Sequence, residues 1–315
     1  MIRAMGRGDR MNIVSTLAPA VLSLGLFYLS AIAPPLGLLT PAPLYYSLVV
    51  YGYKTGAAII AGAGLFVLLA SGPGSCLLFL AMFGVAAFAL AESHRRGESL
   101  EAAMGRATLA AYIAAGAVFL LSAALAGEGP GAILAAWARD AVDALTKSYS
   151  GMELGQKTAE WFNANGNFLV ESFVRVFPGL SFISVMLMVA VNMLVIRAVS
   201  LRSGWGIHPA GHSLAGWKTP DAMVWGVVAG GFGIVLFEGV AETVFLNLLM
   251  VSLAVYMVQG VALAHFMFMR FNIPVPIRAL GYFVIFSYPL FIGIVCAFGL
   301  MDTWMDFRER WAPKP

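Results

Sequence analysis

Nine apolar runs, separated by short polar breaks, fill almost the whole of this chain. They lie near residues 12–33, 36–53, 55–72, 75–92, 107–126, 177–200, 222–238, 243–269 and 279–301. A helix needs about 20 apolar residues to cross a hydrocarbon core of about 30 Å, and most of these runs meet that length. They are continuously apolar rather than alternating, which selects helices over barrel strands. Hydrophobic residues make up 60% of the 315 and charged residues 11%, against roughly 25% charged in an ordinary globular domain. So few charges could not cover the surface of a soluble protein this long. The expected fold is therefore all-α: a polytopic transmembrane helix bundle of eight or nine spans. The second run is the weakest, because Pro34, Pro35, Pro41 and Pro43 crowd its start.

Charge placement gives an orientation. Arg3, Arg7 and Arg10 precede the first run, and Pro34 after Ala31-Ile32-Ala33 argues against signal cleavage there. With nine spans and the N-terminus inside, Lys54, Arg95, Arg96, Arg106, Arg197, Arg202, Lys218, Arg270 and Arg278 also fall on the cytoplasmic side. Arg308, Arg310 and Lys314 in the tail would then lie outside, and an even number of spans would bring them in. An N-in protein of the bacterial inner membrane is expected. The net charge of +3 implies no nucleic-acid partner, and Cys76 and Cys296, both inside apolar runs, suggest neither a disulfide framework nor a thiolate metal site.

Three regions follow from the spacing of the runs: an N-terminal five-run unit over 1–126, an insertion over 127–176, and a C-terminal unit over 177–315. The insertion is too long to be a simple connection. Ile133, Trp137, Ala141 and Leu145 recur at helical spacing, with Arg139, Asp140, Asp143 and Lys147 opposite them. The pattern predicts an amphipathic interfacial helix over 132–147. A second stretch over 152–163 follows, with a turn at Asn163 to Asn167. The insertion is either an interfacial cover or a lid. Between runs three and four, Ser71-Gly72-Pro73-Gly74 predicts a tight turn.

Polar residues within spans are costly and often functional. Asn192 in run six and Asn247, Gln259 and His265 in run eight are the candidates for ligand binding, with Glu238 and Glu242 just before run eight. Asn247 and His265 share a wheel angle but stand about 27 Å apart, so they mark a stripe and not one site. Glu238 and Glu242, one turn apart, either hold a proton or cation or sit in an aqueous turn. Gly226 and Gly230 form a GxxxG motif suited to close helix approach, within the bundle or with a partner. His208 and His212 have a metal-like spacing, but Pro209 and the glycines around them oppose a helix, and no metal or cofactor is expected. No phosphate-binding loop, HExxH or GxSxG occurs, so nothing points to an enzyme.

The tail carries the most specific pattern: Gly299-Leu300-Met301-Asp302-Thr303-Trp304-Met305-Asp306-Phe307-Arg308. If the last helix continues through it, Asp302 and Asp306 share a face, Asp306 reaches Arg310, and Trp304 sits at the interface. Asp302, Trp304, Asp306 and Arg308 would form a docking surface. This ending, with Val255-Tyr256-Met257-Val258-Gln259-Gly260 and Ala264-His265-Phe266 before it, resembles the YybS-like family of bacterial multi-pass membrane proteins. That resemblance implies a distant likeness to substrate-binding subunits of energy-coupling-factor transporters. Pro41-Ala42-Pro43-Leu44 and glycines 52 and 56 are similar to such a subunit. The Ala-x-x-x-Ala of their first helix has its nearest match at Ala57 and Ala61, in run three.

Two functions remain open at this level. One is solute capture or transport as a binding subunit. The other is a structural or assembly protein of the cell envelope that docks a membrane partner. Both place the protein against the lipid bilayer.

Overall fold

The computed structural model describes residues 13–152, 155–203 and 214–311. Arg3, Arg7, Arg10, Trp205, His208 and His212 lie outside them. Every regular element among the described residues is helical. They form two compact units: the first takes 13–98, 102–152, 155–177 and 184–203, the second 99–101, 178–183 and 214–311.

In the first unit, α1 (Ile13–Leu29) leads through the short α2 (Pro34–Gly37) into α3 (Pro41–Val50). Prolines thin out the backbone donors here, so the second run breaks in two instead of crossing as one helix. The carbonyls exposed by the break are bonded from other elements: Ser23 Oγ donates to Thr40 O at 3.0 Å and Asn192 Nδ2 to Leu38 O at 2.5 Å. A broken helix is tolerated within a bilayer only when such groups are paired. Short as it is, α3 is central, with Leu44 and Leu48 fully buried.

Runs three and four become one 44-residue helical stretch, Tyr53–Arg96, built from α4 (Tyr53–Phe79), a π-helical turn (Leu80–Gly84) and α5 (Val85–Arg96). It is not straight. Gly72 has φ 84° and ψ 175°, a backbone conformation open to glycine, and Pro73 follows it. Tyr53 Oη donates to Glu92 Oε2 at 3.2 Å. A straight helix would hold those residues about 58 Å apart. A Cβ on Gly64 would lie 2.8 Å from the Leu80 side chain, and one on Gly84 3.4 Å from Ile60. Pairs 53/92, 60/84 and 64/80 share one midpoint, so the stretch is a helical hairpin with arms over 53–71 and 73–96, as the Gly-Pro turn predicts.

α6 (Leu100–Ala126) is followed by α7 (Pro130–Ser150), close to the predicted interfacial helix. The face it buries differs from the expected one by one position: Leu134 and Ala138 are buried, whereas Trp137 and Leu145 are exposed. α8 (Gln156–Ser203) replaces the expected second helix, turn and span with one uninterrupted helix of 48 residues. Its length of about 72 Å exceeds twice a hydrocarbon core. No turn forms at 163–167; Asn165 instead bonds back to Trp161 O at 2.8 Å within the helix. The start of α8 packs antiparallel on α7, with Tyr149 and Phe162 stacked at 5.9 Å and Gly166 facing Val142.

The second unit is built around α10 (Val240–Arg270). It packs against both α9 (Val224–Leu236) and α12 (Pro289–Met305), with α11 (Val275–Ser287) before α12 and α13 (Phe307–Arg310) after it. The last run is thus two helices, α11 and α12, bent by 104° at Tyr288-Pro289.

By length and apolar composition, four helical stretches among the described residues could cross a membrane: Tyr53–Arg96, Leu100–Ala126, Gln156–Ser200 and Val240–Arg270, with the bent α11–α12 pair a fifth. This is fewer than the eight or nine runs. Prolines and glycines cut several runs into helices too short to cross: α3, with 10 residues, spans about 15 Å and α9, with 13, about 20 Å. Large apolar side chains face outward on these elements, Leu69 at 79% exposure and Leu125 at 81% among them. Lipid, not water, is the solvent for such a surface.

Candidate binding cleft and a buried polar clasp

The first unit holds a cavity of about 520 Å³. Ala18, Pro19 and Leu22 of α1, Pro43 and Tyr46 of α3, and Val195 and Val199 of α8 form most of its wall. Its polar lining is largely spent internally. Tyr51 Oη donates to Ser15 O at 2.8 Å, and Ser200 Oγ to Ile196 O at 2.7 Å. What faces the space is aliphatic and aromatic, in the size range of small-molecule sites. It runs alongside α3, from Ala42 and Pro43 in the first turn to Tyr51 just past the end.

Ala42 and Pro43 of the second run line this cleft, but none of the residues expected from the sequence to bind a ligand does. Asn192, fully buried one turn before Val195, donates its Nδ2 to Leu38 O and to Met188 O at 2.7 Å, while its Oδ1 has no partner within the protein. Asn247 accepts the Gly179 N–H at 2.5 Å and donates to Thr243 O at 2.7 Å. His265 Nδ1 meets Tyr282 Oη at 2.7 Å and ties α11 to α10. Glu238 is exposed in the turn before α10, and Glu242 lies in the first turn of α10, where the helix dipole favours a carboxylate.

Gln259 and Asp302, both fully buried, form the heart of a second feature. Gln259 Oε1 accepts the Thr219 N–H at 3.0 Å, and its Nε2 donates to Asp302 Oδ2 at 3.2 Å. Asp302 Oδ1 accepts the Phe307 N–H at 3.1 Å, which caps α13. Arg308, mostly buried, stands 3.5 Å from Asp302 Oδ2. Burial pushes its guanidinium below the ordinary range, against the pull of Asp302 and Asp306. The last helix does not continue through the motif as expected. It ends at Met305, Asp306 turns left-handed at φ 42°, and its carboxylate pairs with Lys218, not Arg310. That pairing holds the Lys218 ammonium above its usual range. Asp302 and Arg308 therefore face inward, and of the four tail residues Trp304, 63% exposed, presents the most surface.

The GxxxG motif is likewise used within the chain. A Cβ on Gly230 would lie 2.9 Å from the Leu249 backbone, and one on Gly226 would strike Ser252. Both glycines seat α10 against α9 and offer no free face to a partner. On the other side of α10, Gly260 and Gly299 lie in backbone contact with α12. Ala61 and Gly62 of the hairpin stay exposed, with open space around Gly62. Among the described residues, no three His, Cys, Asp or Glu side chains converge as a metal site would need.

Long apolar helices, lipid-facing side chains and polar groups turned inward define an all-helical, multi-pass membrane protein. Residues 20–303, most of the chain, match the family described as predicted membrane protein (DUF2232), and the chain belongs to that family. No curated protein and no solved structure matches it.

Proposed function

We propose that this membrane protein captures a small apolar or amphipathic molecule in the cleft between α1, α3 and α8. The observation that carries the reading is the cavity of about 520 Å³ with an aliphatic and tyrosine wall. The cleft is open on one side, with Leu22 and Val199 among its exposed lining residues, so an apolar molecule can enter it from the surroundings. The reading is binding, not catalysis. The likeness of the tail to the YybS-like family, and through it to energy-coupling-factor binding subunits, agrees with capture as part of a larger transporter. On this reading the nine apolar segments are embedded in the bacterial inner membrane with the N-terminus inside, and the short ones pack within the bundle without crossing.

The rival reading, an envelope assembly protein, relied on small-residue faces and the charged tail. Gly226, Gly230, Asp302 and Arg308 are engaged inside the second unit, which leaves that reading less surface to work with.

The test is native purification in lipid nanodiscs followed by mass spectrometry. Wild-type protein should carry a co-purifying apolar or amphipathic compound. A Val195→Trp, Val199→Trp variant, which fills the cleft, should lose it at least about tenfold while keeping its melting temperature within a few degrees. Retention of the same compound by the filled variant would remove the cleft from consideration.

A further inference from the structure

The three walls of the cleft run along one axis. Tyr51 Oη, just past α3, donates to Ser15 O on α1 at 2.8 Å, and Ser23 Oγ on α1 donates to Thr40 O, just before α3, at 3.0 Å. α1 and α3 are therefore antiparallel. Asn192 of α8 bonds to Leu38 O, and one turn later Ile196 stands beside Tyr45. α8 thus runs in the direction of α3, from the Thr40 end toward the Tyr51 end. Eight residues separate Ser23 from Ser15 and Asn192 from Ser200, about 12 Å of helix in each case.

Each wall changes character along this axis. At the Thr40 end, Leu22 of α1, Ala42 and Pro43 of α3 and Val195 of α8 line the space. At the Tyr51 end the lining residues are Ser15, Tyr51 and Ser200. Hydroxyls gather at one end on all three walls, and hydrocarbon at the other.

The hydroxyl end lies at a water boundary. Tyr53, two residues past Tyr51, donates to Glu92, and the Arg95 guanidinium stands 5.7 Å from the centre of its ring. Glu92, Arg95 and Arg96 form an exposed ion-paired cluster. Charges of this kind mark the edge of a membrane helix. Gly72, at the opposite turn of the hairpin, is about 30 Å of helix away from Glu92, the full thickness of a hydrocarbon core. A cleft about 12 Å deep, counted from the charged boundary, therefore occupies one leaflet.

The opening faces lipid. Ala18, Leu22 and Val199 are exposed lining residues, and Leu17 and Val21 beside them on α1 are exposed as well. No charged side chain lines the cleft. A rim made of such residues meets acyl chains, not water. A molecule entering there arrives sideways from the bilayer, with its polar end already at the boundary.

We infer that the cleft takes a lipid from the leaflet on the Glu92–Arg96 side and holds it in the orientation it has in the bilayer. The head lies beside Ser15 and Tyr51, and the chain runs toward Leu22, Pro43 and Val195. This rests on the capture reading above, and it names the ligand class and the route of entry for that site.

The experiment uses the full chain in nanodiscs of phosphatidylethanolamine and phosphatidylglycerol. Two phosphatidylethanolamine probes differ only in the place of a photoreactive diazirine, beside the head or at the chain end. Labelled positions are mapped by peptide mass spectrometry. The chain-end probe should label around Leu22, Pro43 and Val195, and the near-head probe around Ser15 and Tyr51. An Ala18→Trp variant puts a large ring at the mouth. It should lower cleft labelling by both probes at least about tenfold and leave labelling at Leu125, on an open apolar face, unchanged. Labels in the reverse order would overturn the orientation, and undiminished cleft labelling in Ala18→Trp would overturn the sideways entry. A short-chain, water-soluble form of the same lipid, added from the buffer, should label the cleft less than the bilayer probes do; stronger labelling would overturn the bilayer source. Labelling at Leu125 with none in the cleft would overturn the lipid inference as a whole. The capture reading would survive that result if the purified protein still carries a compound that the filled variant loses, and would fall with it if no such compound is found.

Discussion

Asp302 illustrates how much one side chain can hold. Its two oxygens serve Gln259, the capped Phe307 N–H and Arg308, all from a fully buried position. Removing one partner of a buried charged pair leaves the other uncompensated, at a cost of roughly 3–5 kcal/mol. Asp302→Ala should therefore destabilise the protein by about that much in a detergent-unfolding titration, and Asp302→Asn by less, because the amide oxygen can still cap Phe307. Little change on Asp302→Ala would show that Arg308 reaches solvent in solution and that the network is not closed. The motif itself was legible in the sequence, but its direction was not. Spacing placed Asp302, Asp306 and Arg308 near one another. It could not reveal that Gln259, 43 residues earlier, lies opposite Asp302, nor that Asp306 breaks the helix.

Elements were easier to foresee than their ends. The Gly72-Pro73 reversal could be read directly, since proline ends one helix and glycine accepts the φ the next needs. A crosslink tests it. In a background of Cys76→Ala and Cys296→Ala, paired Ile60→Cys and Gly84→Cys substitutions should join within one molecule under mild oxidation; a straight helix would hold them about 36 Å apart. Failure to crosslink under conditions that trap a control pair would refute the hairpin. The amphipathic α7 was also legible, though its buried face was misassigned by one position. Ile133, Trp137, Ala141 and Leu145 form an apolar stripe, but Leu134, Ala138 and Val142 form another beside it, and packing against α8 selects the second. The turn expected at 163–167 failed for a related reason. Asparagine and glycine weaken a helix by fractions of a kcal/mol up to about 1 kcal/mol each, and contact with α7 along this stretch is enough to keep it helical.

At the scale of the whole molecule, class was the most secure inference because it rests on composition summed over 315 residues, where local errors average out. Counting crossings was not, because hydropathy measures how apolar a run is and not whether its backbone stays helical throughout. α3 shows the difference. At 10 residues it is apolar enough for a membrane and too short to cross it. The shared Gln259–Asp302 bond has a consequence for synthesis. At about 5–20 residues per second, a ribosome that has added Gln259 needs roughly 2–9 s more to add Asp302. Throughout that interval the glutamine amide is in an apolar segment without its acceptor. A chain stopped just before Asp302 never completes the bond. Such a truncated product should be cleared from cells faster than the 315-residue chain in a pulse-chase experiment, and equal lifetimes would show that the bond is not needed for retention.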